Sequence, residues 1–259
     1  MLDQLSAYAS FATAFAVALL TSPITMAVGL MFVGFILLDA LWRPRDYPDT
    51  PGWRVRGLLA FLVYLVVSAA APLAWDAWLA EHRLIDLTSQ PLWLQIGLGL
   101  LVFELGMYAW HRCLHGSDVL WRHLHQTHHS AERIDVFGAF WFHPLDMIGW
   151  SLQGSLCLVW AVGLSVEAVV PIVLAASFMA MFTHANVRTP RWLGWFIARP
   201  EMHAAHHERG VHRSNYCDLP MIDMIFGTYR NPKEDPAEAG FFDGASARLG
   251  DLLVGRKLA

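Results

Sequence analysis

Eight histidines of this chain fall into three tight clusters: His111-Arg-Cys-Leu-His115, His125-Gln-Thr-His128-His129 and His203-Ala-Ala-His206-His207. Twelve of the thirteen histidines lie between positions 111 and 212. On a helix, residues at i, i+3 and i+4 project from one face, so each cluster can present its imidazoles to one point. Rings gathered in such numbers repel one another when protonated and are costly to bury without partners. Metal ions remove both difficulties, because neutral imidazole is a good ligand for iron, zinc, copper or nickel. One tetrahedral ion takes four ligands, so eight or more imply two ions with open positions. The Glu-x-x-His repeats of carboxylate-bridged di-iron bundles and the HExxH of zinc peptidases are absent from the sequence. An all-histidine dinuclear centre is the reading that remains. A lone histidine is usually a surface or capping residue; HxxHH occurring twice beside an HxxxH is a different pattern.

The elements that must position these rings belong to a membrane protein. Of 259 residues, 56% are hydrophobic and only 15% charged, against about 25% charged in an ordinary soluble domain. The net charge of −4 leaves no basic footprint for nucleic acid. Cys113, Cys157 and Cys217 form no CxxC and no disulfide framework. Leu5 to Leu38 carries no charge but is too long for one span, and Thr21-Ser22-Pro23 offers a break; helices are expected near 5–20 and 24–42. Further spans are expected at 57–79, 92–114, 147–164 and 166–185, the last two as a hairpin, since a bilayer core takes about 20 apolar residues. Arg43, Arg45, Arg54 and Arg56 place the loop between the second and third spans in the cytoplasm. Alternation then delivers 111–146 and 186–259, with all three clusters, to the same side. The division expected is 1–91 as N-terminal transmembrane helices, 92–230 as the metal-binding domain and 231–259 as a polar tail.

In order and spacing, the clusters resemble the fatty acid hydroxylase/sterol desaturase superfamily of integral-membrane di-iron enzymes. Its HxxxH, HxxHH and later HxxHH, split by a hydrophobic hairpin, are matched from His111 to His207. Glu104-Leu-Gly-Met-Tyr108-Ala-Trp-His111-Arg112 is similar to the acidic-x3-Tyr-x2-His-Arg stretch that leads into the first cluster. Phe142-His143-Pro144-Leu145-Asp146, Thr183-His184-Ala185-Asn186, Asn215-Tyr216 and Asp223-Met-Ile-Phe-Gly227-Thr228 resemble further family elements. The likeness covers about residues 95–230. It departs at Glu104, where Asp is commoner, at Cys217, where Gly is usual, and at Met221-Ile222.

The resemblance implies an all-α, multi-pass bundle of about four to six transmembrane helices under a cytoplasmic cap that carries the site. It implies two iron ions, with zinc able to occupy the site in purified protein, and O₂ as co-substrate. The activity expected is hydroxylation or desaturation of a C–H bond of a membrane lipid. Electrons would come from an external donor, cytochrome b5-like, a ferredoxin or a pterin. His143 and His184 join the eight clustered histidines as expected ligands. Four candidate catalytic residues accompany them. Glu104, seven residues before His111 inside a span, is expected to hydrogen-bond a ligand histidine, and Tyr108 lies on the same face. Asn186 and Asn215 are expected to bond a ligand or a metal-bound water. His212 and His123 fit no cluster spacing, and His82 lies on the far side. Two rival readings remain, a membrane zinc hydrolase and a metal-binding or transport protein. The first needs a general base beside three ligands, the second a path of ligands along the spans.

Overall fold

The computed structural model describes residues 2–42 and 44–258, and the side chains of all of these except 2–9 and 11. Arg43, one of the four arginines of the loop expected in the cytoplasm, lies outside the described residues. The uncharged N-terminal run breaks where the sequence predicts, into α1 (Leu2–Thr21) and α2 (Pro23–Leu41). Ser22 takes the N-cap and Pro23 opens α2, where its missing N–H is not needed. α3 (Trp53–Ala70) ends in a 3-10 turn, Ala71–Ala74, followed by α4 (Asp76–Glu81) and the long α5 (Leu92–Gly116). A short turn, α6 (Asp118–Leu120), and a π-helical turn, Trp121–His125, lead into α7 (Gln126–His129). α8 (Pro144–Ser155) continues as a π-helical segment to Ala161, and α9 (Val166–His184) returns beside it. α10 (Pro200–His206), α11 (Pro220–Ile225) and α12 (Leu249–Leu253) complete the cap. The described residues contain no strand, only an isolated bridge between Glu208 and Ala239.

Among the described residues, four helices are long and apolar enough to cross a membrane: Pro23–Leu41, Trp53–Ala74, Leu92–Gly116 and Val166–His184. The chain is an integral membrane protein. The segment expected to span at 147–164 is not among the four. Its helix turns polar residues inward instead: Gln153 and Ser155 are buried, and Gln153 Nε2 donates to the carbonyl of Phe103 in α5 at 3.1 Å. α5 packs on α8 and α9, α2 on α9, and α3 on α8, while Leu30, Leu37, Leu59 and Val66 stay exposed on the outside of the bundle.

The cap is fastened to the helix ends by aromatic packing and by carboxylates. Phe32 of α2 stacks on Phe61 of α3 at 4.0 Å, and Tyr64 of α3 packs on Phe140 of the cap at 4.4 Å. Asp39, near the end of α2, accepts the backbone N–H groups of Val136 (3.0 Å) and Asn186 (2.8 Å), joining two cap loops. Trp53 Nε1 donates to Asp135 at 2.8 Å. At Gly57 the α3 backbone meets the cap so closely that a Cβ would stand 2.5 Å from the Phe137 carbonyl oxygen. Residues 231–258 fold back over the cap. Gln126 in α7 donates to the Arg256 carbonyl (3.0 Å) and accepts from the Leu258 N–H (2.8 Å).

Candidate metal centre

Nine of the ten expected ligands converge. They do so as two adjacent groups, His111, His115, His125, His129 and His206 in one, and His128, His184, His203 and His207 in the other. Within each group one ring nitrogen per residue lies within 4.8 Å of all the others. The groups abut, with His129 and His207 stacked at 4.1 Å between ring centroids. The expectation that each cluster points at one place is corrected here. Both HxxHH motifs are divided: the i,i+4 pairs His125/His129 and His203/His207 stay together, while His128 and His206 each cross to the other group. Adjacent residues on a helix are about 100° apart, so His128-His129 and His206-His207 straddle the boundary and each short helix feeds both groups. The π-helical turn ending at His125 sets that phase. Such turns are rare and concentrate at functional sites.

The outer ring nitrogens fix the inner ones. His111 Nδ1 donates to the Tyr216 carbonyl (2.9 Å), His184 Nδ1 to that of Ala180 (2.8 Å) and His206 Nδ1 to that of Ser214 (2.6 Å). His125 Nδ1 donates to the carboxylate of Asp146 at 2.8 Å, with both residues fully buried. A neutral ring that donates from Nδ1 carries a bare lone pair on Nε2. Burial and the charge of neighbouring rings hold protonation of His125, His128, His129, His203, His206 and His207 well below the ordinary imidazole range, so these rings are neutral at pH 7.

The inner ring nitrogens face one another. His125 Nε2 lies 3.0 Å from His111 Nε2, and His203 Nε2 lies 3.1 Å from His184 Nε2 and 3.0 Å from His207 Nε2. Nε2 of His115, His129 and His206 is buried with no hydrogen-bond partner. No proton is available to bridge His111 and His125, because both donate from Nδ1; a shared cation resolves the contact. Two nitrogens about 2.1 Å from one ion at a right angle are separated by about 3.0 Å, whereas tetrahedral ligands are about 3.4 Å apart. The residues therefore fit metal, and the spacing fits ligands at right angles better than a tetrahedral set.

His143, the tenth expected ligand, is not in either group. It is the N-cap of α8: Nδ1 accepts the Leu145 N–H at 3.1 Å and Nε2 donates to the Leu253 carbonyl at 3.3 Å. Both ring nitrogens are engaged, which leaves none for a metal. The four expected catalytic residues are also placed differently. Glu104 touches no histidine; its carboxylate accepts the N–H groups of Asp218 (2.9 Å) and Leu219 (3.2 Å). The Tyr108 hydroxyl accepts from Arg112 at 2.6 Å and from Thr228 at 3.2 Å. Asn186 donates to the Arg45 carbonyl (3.0 Å), and Asn215 to those of Met202 (2.9 Å) and Arg230 (2.8 Å). Glu104, Asn186 and Asn215 bond backbone groups and Tyr108 bonds side chains other than histidine, and an isolated polar side chain in a span carries no signal to tell such partners from a ligand ring.

Glu104, Tyr108 and Asn215 bear on the centre through one loop. Glu104 holds residues 218 and 219, and Asp223 accepts from Tyr216 N–H (2.9 Å) and the Thr228 hydroxyl (2.6 Å). Between them runs the loop whose Ser214 and Tyr216 carbonyls orient His206 and His111. Its backbone is left-handed at His212 (φ 42°), Ser214 (φ 76°) and Asn215 (φ 53°), a costly conformation without glycine, which these anchors maintain. Two contributors were missed from the sequence. Asp146 stood within a quoted motif but received no role; its signal is a carboxylate at the start of an apolar hairpin. His212 fits no cluster spacing, yet its Nδ1 lies 3.1 Å from His129 Nδ1. No spacing rule reaches it, because the left-handed turn brings it back. His82 and His123 lie outside both groups, as expected.

A cavity of about 320 Å³ opens from the centre into the bundle. His111, His128 and His184 form its floor, and Phe103, Met107 and Trp150 are among its mostly apolar walls. The family model for fatty acid hydroxylases matches residues 96–228, just over half of the chain and the whole of both histidine groups. An ornithine lipid hydroxylase of Rhizobium tropici is 32% identical over 147 residues, 55% of this chain and 44% of its own. A Delta(7)-sterol-C5(6)-desaturase of Nicotiana tabacum is 29% identical over 144 residues, 54% and 51% of the two chains. An alkylglycerol monooxygenase of Xenopus tropicalis is 30% identical over 159 residues, 60% and 34%. The chain thus spans about half the length, or less, of these curated relatives. No solved structure matches it. Its motifs, its all-helical membrane fold and the match across both histidine groups make this chain a member of the fatty acid hydroxylase family.

Proposed function

We propose that this protein is a di-iron, O₂-dependent oxidoreductase that hydroxylates or desaturates a C–H bond of a membrane lipid. The observation that carries the reading is the facing of the His111 and His125 Nε2 atoms at 3.0 Å, both rings donating from Nδ1, beside a second group whose Nε2 atoms lie 3.0–3.1 Å apart, on the wall of an apolar cavity among membrane helices. His111, His115, His125, His129 and His206 would hold one iron, and His128, His184, His203 and His207 the other. Two irons bound there supply the O₂ activation and C–H oxidation that no side chain provides. The chain's own residues do the rest. Neutral imidazoles add no charge to the centre, and Asp146 and the loop carbonyls keep the lone pairs of His125, His111 and His206 aimed inward. Phe103, Met107 and Trp150 exclude water and receive an apolar chain. Relatives named for ornithine lipid, sterol and alkylglycerol substrates support a lipid.

Residues 92–230 form the catalytic unit in this reading, the N-terminal helices complete the cavity and 231–259 seal the cap. Arg45 lies on the histidine side, donating to the Val187 carbonyl at 2.8 Å, which with the positive-inside rule supports a cytoplasmic centre, where a cytochrome b5-like, ferredoxin or pterin donor would deliver electrons. Neither rival reading gains an observation. The two groups contain no carboxylate to serve as a hydrolytic base, and they sit together at one end of the helices rather than along a path. Metal analysis of protein purified from iron-supplied cells tests the assignment: two irons per chain are expected. A full complement of zinc without iron, with no oxidised lipid formed, defeats it.

A further inference from the structure

The cavity runs far beyond the centre. Along α9 its wall extends from His184 back to Val169, roughly 22 Å at about 1.5 Å per residue, most of the thickness of a bilayer core. On the opposite wall Tyr64, Ser68, Pro72 and Asp76 recur every fourth residue, a single stripe along α3 and its continuation. Tyr64 packs on Phe140 beside the centre, so Asp76 marks the far end. Asp76 is half-buried, and its Oδ1 is enclosed with no hydrogen-bond partner. The basic groups that follow it in the chain are engaged elsewhere: Arg83 pairs with Asp86 at 3.3 Å, and His82 Nδ1 meets the Trp78 carbonyl at 2.8 Å. All four stripe residues precede the part matched by the family, which begins at residue 96.

We propose that this far end is a subsite for a protonated amine, so that the substrate is a long-chain lipid whose amine rests on Asp76 while a carbon remote from it reaches the histidines. The proposal rests on the lipid-oxidising reading. A carboxylate at the end of an apolar slot needs a partner that the protein does not supply. An ammonium brings three donors and the opposite charge, whereas an alcohol brings one donor and no charge. The stripe of α3 faces the stripe of α9 along the whole slot, which suits one extended chain lying along the helices.

Binding tests this without turnover. The full chain with its metal, held without reductant in phosphatidylcholine nanodiscs, is titrated with hexadecylamine, hexadecanol and palmitate. Hexadecylamine is expected to bind roughly tenfold or more tighter than hexadecanol. Asp76→Asn should erase that preference with hexadecanol affinity unchanged, and Asp76→Glu should keep it. Val173→Trp, which fills the slot midway along α9, should weaken all three ligands with Asp76 in place. Equal binding of amine and alcohol by the native chain, tighter binding of palmitate, an amine preference that survives Asp76→Asn, or amine affinity undiminished by Val173→Trp overturns the proposal. Because no oxidation is read, failure here leaves the iron content and the oxygenase reading untouched, and their failure leaves this result standing.

Discussion

Replacing Asp146 by alanine should empty one half of the centre and spare the other. Its carboxylate accepts from His125 Nδ1 at 2.8 Å, with relative exposures of 0% and 1%. No water can replace it without opening the core. A hydrogen bond to a charged group contributes about 1.5–3 kcal/mol, which is roughly 10- to 150-fold in metal affinity. That agrees with the roughly 10- to 100-fold range known for partners that sit behind metal-binding histidines. His125 belongs only to the group of five, so the group of four should keep native affinity. Dialysis against graded chelator, followed by elemental analysis, should show two steps in Asp146→Ala, with the first moved to weaker chelation. Asp146→Asn should fall between, since its oxygen can accept the same proton while its amide is left where Oδ1 has no partner. Native retention of both metals, or loss of both in one step from a chain that remains folded by circular dichroism, refutes the reasoning.

Three further outcomes follow from the geometry. His143→Asn should keep both metals, and His143→Ala should lower stability by about 1 kcal/mol through loss of the helix cap, read as a lower Tm; metal loss from the folded Asn variant contradicts the capping role. Gly57→Ala sets a methyl 2.5 Å from the Phe137 carbonyl oxygen and 2.7 Å from its Cβ, which should cost about 1–3 kcal/mol of overpacking; an unchanged Tm contradicts the close approach. Acid should release metal and destabilise the protein together. The six cap histidines have depressed protonation, so below about pH 6.5 the unfolded chain binds protons that the folded chain does not. Stability is then full above that pH and falls progressively below it, and the ligands are lost over the same window. A flat profile of metal content and Tm between about pH 7.5 and about pH 5 contradicts it.

Local periodicity carried the helices and three i,i+4 histidine pairs, because both depend on spacing along one element. Pro23 and the charge-free run before it were enough to divide α1 from α2. What spacing could not carry was the partition of His128 and His206 into opposite groups, which depends on how α7 and α10 meet in space. The roles of Glu104, Asn186 and Asn215 were lost for a related reason. Each bonds backbone brought near by a distant loop, and a polar side chain near a histidine in sequence does not reveal which acceptor or donor folding will offer it. His212 required a left-handed backbone that nothing in Arg213-Ser214-Asn215 announces. The segment expected to span at 147–164 is absent from the four apolar helices for a reason visible in composition, Gln153 and Ser155 marking a protein-facing helix. Its end nonetheless meets the far loop, where the Leu84 and Leu87 N–H groups donate to the Trp160 and Gly163 carbonyls.

Lipid mass spectrometry of cells expressing either the native chain or His128→Ala under isotopically heavy O₂ tests lipid oxidation at the histidine centre. A lipid one heavy oxygen richer, or one two hydrogens lighter, is expected only with the native chain, while His128→Ala inserts into the membrane and forms neither. The same oxidised lipid in both cells, or none from a native chain that carries two irons and is supplied with reductant and host lipid, contradicts it.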